Sequence, residues 1–171
     1  MRFKSINLET LRDLYLNELR DLFNAEKQLV RGLPQMVEAA KSHELKEAFV
    51  NHLNETKGQV GRLERIFDAL GEKPTGETCE AMKGLLEEAE MFIEAVGNHD
   101  VIDAGLIAAA QRVEHYEMAG YGTARALALR LGAANDAELL QQTLDEEKAA
   151  DQTLTRIAES GVNELAAHAV G

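Results

Sequence analysis

Glu114 and Glu117 stand one helical turn apart in VEHYEMAGYG (113–122), directly after LIAAAQR (106–112), a stretch of small and apolar residues. A carboxylate in such surroundings must meet a cation or keep its proton, because an uncompensated buried charge costs several kcal/mol. At about 100° per residue the two glutamates point about 60° apart. They share a face with Leu106, Ala110, Tyr121, Ala124 and Ala128. Glu147 falls in phase with Leu140, Leu144, Leu154 and Ala158, and Asp151 lies one turn beyond it on the same stripe. Glu26 continues the series Leu19, Leu22, Leu29, Leu33, while Glu55 and Gln59 share a face with His52, Leu63 and Ile66. Four apolar stripes thus each turn at least one carboxylate inward. The chemistry that suits them is a pair of divalent or trivalent cations bridged by carboxylates. An oxygen-rich donor set with few imidazoles favours iron or manganese over zinc.

A plainer reading stands beside this one. Glu-rich helices carry most of their carboxylates in water, and an error of about 60° in helix phase moves Glu114 or Glu26 outside. Glu117 and Glu147 are the most securely inward. His52, one turn before Glu55, reads first as a structural histidine and second as a ligand, and His115 points to the rim. His43, His99 and His168 fall in caps, a loop and the tail. Tyr15, Tyr116 and Tyr121 either fill the core or border the acidic centre, and Met36, Met82, Met91 and Met118 read as core fillers. No glycine-rich phosphate loop or nucleophile motif is present.

The elements that position these residues follow from a 3.6-residue apolar period. The first helix spans about 8–40, with Asn7 as N-cap, Leu11, Tyr15, Met36 and Val37 on its inner side, and Pro34 kinking it late. Ser42 caps a second helix over about 44–70, closed by Gly71 in the left-handed conformation. A third runs over about 101–131 and stops at Gly132. A fourth starts at NDAE, where Asn135 and Glu138 have capping-box spacing, and runs to about 159. Links of a few residues make neighbours antiparallel. Between the second and third helices lie a loop (71–78) and a shorter helix (79–97), so two helical hairpins are joined by a long crossover. LNETKGQVGRLERI (53–66) and LDEEKAADQTLTRI (144–157) share six identities in register, as a duplicated hairpin would. The last residues, VNELAAHAVG, read as a fraying tail.

The totals narrow the function classes. Hydrophobic residues at 45% and charged residues at 28% in a chain of 171 suit one all-helical domain with its own core. A net charge of −12 repels phosphate backbones, which disfavours nucleic acid. The single cysteine, Cys79, rules out an internal disulfide and a thiolate zinc site. A reducing cytoplasm is therefore the expected location. No apolar run is long enough to span a membrane, and MRFKSINLET lacks the apolar core of a secretory signal.

AEKQL (25–29), HLNETKGQ (52–59), LIAAAQRVEHYEMAGYGT (106–123) and TLDEEKAADQTL (143–154), in this order and spacing, resemble the YciE/YciF-type bacterial stress proteins, a branch of the ferritin-like superfamily. The resemblance covers about residues 8–160. It implies an all-α, ferritin-like antiparallel four-helix bundle with one long crossover carrying a short extra helix, similar in outline to rubrerythrin, and a homodimer. It further implies Glu26 as the first-helix ligand, Glu114 and Glu117 as third-helix ligands, and Glu147 as the fourth-helix glutamate of a di-metal site. The Glu-x-x-His pairs of the superfamily are absent. In their places stand Glu55 with Gln59 and Glu147 with Asp151, both spaced by four.

Two functions remain. One is a di-metal protein holding two iron or manganese ions among Glu26, Glu55, Gln59, Glu114, Glu117, Glu147 and Asp151, which reacts with peroxide or oxygen during stress. The other is a non-catalytic helical dimer with a structural or protein-binding role, its acidic centre held by protons, waters or Lys27, Arg62 and Lys148.

Overall fold

The structure, a computed structural model, describes residues 6–76 and 78–169. The chain folds as α1 (Leu11–Ala39), α2 (His43–Leu70), α3 (Glu80–Ile93), α4 (His99–Arg130) and α5 (Ala134–Ile157). A wide π-helical segment (Ala158–Val162) and the short α6 (Asn163–Ala167) follow. The described residues contain no strand. α1 packs on α2 and α4, α5 packs on α4 and α2, and α3 covers the α1–α4 side. The four long helices are the expected ones, with the crossover helix shortened to Glu80–Ile93.

The helix ends follow local chemistry, and three differ from expectation. α1 is capped by Thr10 rather than Asn7: Thr10 Oγ1 accepts from the Asp13 N–H, and the Asp13 carboxylate accepts from the Thr10 N–H in return. That reciprocal box outcompetes Asn7, whose amide binds Glu9 instead. Leu11 is consequently 40% exposed in the first turn rather than inward. α5 begins at Ala134 with no side-chain cap, so Asn135 lies inside the helix. The reason is the tight turn before it, where the Ala133 N–H bonds Ala128 O and the Gly132 N–H bonds Leu129 O. Gly132 (φ 77°) and Gly71 (φ 65°) close α4 and α2 in the left-handed conformation that a Cβ disfavours. The tail over 158–167 is helical rather than frayed, and buried Val162 anchors it to the core.

The core is split in two along the bundle axis. One cluster gathers Leu29, Leu33, Leu45, Phe49, Leu106 and Leu154; the other gathers Tyr15, Leu19, Leu63, Phe67, Tyr121 and Leu140. Each long helix passes from one cluster to the other through a polar layer: Glu26 on α1, His52, Thr56 and Gln59 on α2, Glu114 and Glu117 on α4, and Glu147 on α5.

Candidate metal centre

Each acidic residue enters this layer because it occupies the next inward position of its helix. Glu26 follows Leu22 and precedes Leu29; Glu117 sits between Val113 and Tyr121; Glu147 follows Leu144. Glu26, Glu117 and Glu147 are fully buried and Glu114 is 2% exposed. On α2 the inward stripe runs Phe49, His52, Thr56, Gln59, Leu63.

Ligand atoms of His52, Glu114, Glu117 and Glu147 all lie within 4.8 Å of one another. His52 Nε2 is 3.3 Å from Glu114 Oε1 and 3.8 Å from Glu147 Oε2. The other ring nitrogen, Nδ1, is 3.6 Å from Glu55 Oε2. Gln59 Nε2 donates to Glu147 Oε1, and the Tyr121 hydroxyl donates to Glu26 Oε1. Among the described residues, Glu117 Oε1 and Oε2, Glu114 Oε2, Glu147 Oε2, Glu26 Oε2, Gln59 Oε1 and both His52 nitrogens have no hydrogen-bonding partner. Buried polar atoms are nearly always paired, so this concentration of orphans makes the layer a group of donors that could hold a metal ion.

The electrostatics agree. Burial first, and the neighbouring carboxylates next, push Glu26, Glu114 and Glu117 well above the usual glutamate value, with Glu147 the leading neighbour for Glu26 and Glu114. Burial also raises Glu147, which His52 partly offsets. Burial and Glu26 push the Tyr121 phenol up as well.

Among the described residues no Lys or Arg bonds any of the four clustered residues. Lys27 lies 5.7 Å over the Phe23 ring and Lys148 sits 3.8 Å from Asp145. Arg62 stops at the layer's edge, 2.6 Å from Glu146 Oε2 and 3.0 Å from Thr143 Oγ1.

The structure therefore gathers Glu26, Gln59, Glu114, Glu117 and Glu147 in the layer. Glu55 lies outside it, its side chain 45% exposed behind His52. Asp151 sits at the rim, where it accepts from Gln111 Nε2 at 3.0 Å and lies 3.4 Å from His115 Nε2. Of the tyrosines, Tyr121 borders the layer, Tyr15 donates to the buried Asp136 at 3.1 Å, and Tyr116 donates to Asp21. Cys79 caps α3 with its sulfur 3.0 Å from the Tyr116 hydroxyl. Burial pushes its thiol up, which disfavours a thiolate ligand.

The all-helical fold that carries this layer is shared with known proteins. Over residues 10–167 the chain belongs to the family described as Domain of unknown function (DUF892). It is 44% identical over 162 residues to protein YciF of Escherichia coli K12, spanning 94% of this chain and 98% of that one. The crystal structure of that E. coli stress protein matches with a TM-score of 0.88, covering 91% of this chain and 99% of that one. YcfI of Rhodopseudomonas palustris, to which a structural role is ascribed, matches at 42% identity and a TM-score of 0.85, covering 90% and 98%. A Xanthomonas campestris protein, 20% identical with a TM-score of 0.71, shares the fold. Among the described residues no helix is long and apolar enough to cross a membrane.

Proposed function

We propose that this chain is a stress protein whose polar layer is a carboxylate-rich centre for two iron or manganese ions and reacts with peroxide or oxygen. The observation that supports it is the set of orphaned buried donor atoms on His52, Glu114, Glu117 and Glu147, with no basic side chain bonded to them among the described residues. Hard oxygen donors with one imidazole suit iron or manganese. Gln59 Oε1 and Glu26 Oε2 add donors beside the four, enough for a pair of ions with shared carboxylates. Bound metal would supply the redox couple and a Lewis acid for a small oxidant.

The chain's own residues hold that centre in shape. Gln59 fixes Glu147 by donating to its Oε1, and Tyr121 fixes Glu26 in the same way, leaving Oε2 of each free. Glu55 stands behind His52, its Oε2 3.6 Å from Nδ1 and beyond hydrogen-bond reach, while Nε2 faces the layer; on metal binding it would be the carboxylate placed to steady the imidazole. Glu117, with both oxygens free, would offer two donor atoms to bound metal. The two apolar clusters above and below close the layer along the bundle axis.

A second reading, a structural dimer without metal, is favoured by the role ascribed to YcfI and by Gln59, a neutral amide where an imidazole is usual. Elemental analysis of protein purified without an affinity tag separates the two. The metal reading expects about two iron or manganese ions per chain, lost in a Glu117→Ala/Glu147→Ala variant that keeps its helical circular dichroism. No stoichiometric metal after anaerobic reconstitution would leave the structural reading. The homodimer is tested by light scattering.

A further inference from the structure

The repeat that relates residues 53–66 to 144–157 is a step of 91 residues, and it exposes an asymmetry in the seam between α2 and α5. At one end of the seam α2 carries Gln59 and Arg62, and α5 carries Thr143 and Glu146. Gln59 Nε2 donates to Glu146 Oε2 at 3.2 Å, and Arg62 grips both Glu146 oxygens at 2.6 and 2.5 Å. This end is plugged. At the other end the same step sets Glu55 in the role of Glu146, but it sets Ala150 where the first end has Gln59 and Thr153 where it has Arg62. No plug forms there. A cavity of about 180 Å³ remains, walled by Ala48, Ala150 and Leu154, with half of Glu55 at its mouth and His52 and Glu114 at its floor. His52 and Glu114 are 5% and 2% exposed, and the His52 nitrogens and Glu114 Oε2 have no hydrogen-bonding partner among the described residues.

We propose that this opening is the entry route by which a small uncharged molecule of the dioxygen, hydrogen peroxide or nitric oxide class reaches the acidic layer, and that Ala150 and Thr153 hold it open and set its size limit. The proposal rests on the metal-centre reading for its purpose, but the route itself is a property of the chain. Size excludes large ligands: a water molecule takes about 30 Å³ of liquid, so the cavity holds a handful of such molecules. Pockets for drug-sized ligands run from about 300 to 1,000 Å³. Charge disfavours small anions, because the half-exposed carboxylate of Glu55 lines the mouth of a protein whose net charge is −12.

The repeat also supplies the variant that closes the route. Ala150→Gln/Thr153→Arg builds onto Glu55 the pairing that Arg62 and Gln59 make with Glu146, and Ala150→Leu fills the same space if the double variant does not fold. In metal-free protein, dissolved dioxygen is a direct probe through its paramagnetic relaxation of nearby protons. Strong relaxation of the His52 ring and the Leu154 methyls, falling to the level of the sealed core in the variant, is expected. Equal relaxation in both proteins, or none at His52 in the parent, overturns the route. In ferrous-loaded protein the association rate of nitric oxide is expected to fall at least about tenfold, since entry then awaits a local opening; an unchanged rate overturns the proposal. Failure to bind metal defeats the metal-centre reading alone, because the dioxygen measurement needs no metal.

Discussion

Replacing Glu117 by Gln should stabilise the metal-free protein while abolishing its response to metal. Glu117 is fully buried, both of its oxygens lack a hydrogen-bonding partner among the described residues, and its charged neighbours are Glu26, Glu147 and Glu114. An amide in that place removes one charge from the group and can donate to those carboxylates. An unsatisfied buried group costs about 1–3 kcal/mol, and a charged one more, so the gain at pH 8 should be about 3 kcal/mol. For a chain of this length that corresponds to a rise of about 6–12 °C in Tm. The sign depends on pH. Burial raises the folded-state value of Glu117 above the ordinary 4.5, so the folded protein holds the proton more tightly than the unfolded chain. The stability this group contributes is full below 4.5 and is lost as pH rises through the folded value. The Tm advantage of the variant should therefore be small near pH 5 and widen toward pH 8. Calorimetry of chelator-treated protein, with and without Mn²⁺, measures both effects. A variant that is less stable at every pH, or that still gains Tm on adding metal, would refute the argument.

Other outcomes follow from the same contacts. Metal affinity should rise with pH across the range in which Glu26, Glu114 and Glu117 lose protons, because cations and protons compete for the same oxygens; pH-dependent calorimetric titration reads it. His52→Ala, which removes a ligand, should weaken metal binding by more than about 100-fold and leave the helical signal unchanged, and Glu55→Gln, which acts only through His52, should weaken it by about 10–100-fold at most. Asp103→Ala should cost about 2–3 kcal/mol in chemical denaturation, because this buried carboxylate accepts from the Lys41 N–H at 2.9 Å and the Ser42 N–H at 2.6 Å and so ties the α1–α2 turn to α4.

Much of this was legible in the sequence wherever apolar neighbours fix helix phase on both sides. Glu117 lies between Val113 and Tyr121, and Glu147 between Leu144 and Leu154, so buried neighbours on both sides hold each to the inner face. α2 is harder to read. Its polar layer is three residues long, and the stripe alternates steps of three and four through His52, Thr56, Gln59 and Leu63. Glu55 lies next to that stripe and has the more suggestive side chain, yet it faces outward, while His52 faces the layer. The 91-residue step held a usable signal: it pairs Thr56 with Glu147 and Glu26 with Glu117, and so pairs Glu55 with the outward Glu146. Asp103 and Asp136 were invisible as buried groups, because their partners, the α1–α2 turn and Tyr15, are distant in sequence. Likewise the Thr10 cap, three residues inside the more obvious Asn7, turned on a reciprocal bond with Asp13.

The central claim is that the polar layer is a metal centre, and anomalous diffraction tests it most directly. Crystals grown anaerobically with Fe²⁺ or Mn²⁺, measured on either side of the metal's absorption edge, should give anomalous peaks within bonding distance of His52, Glu114, Glu117 and Glu147. An edge-specific map with no peak in that layer, from protein saturated with metal, would contradict it and leave the carboxylates held by protons.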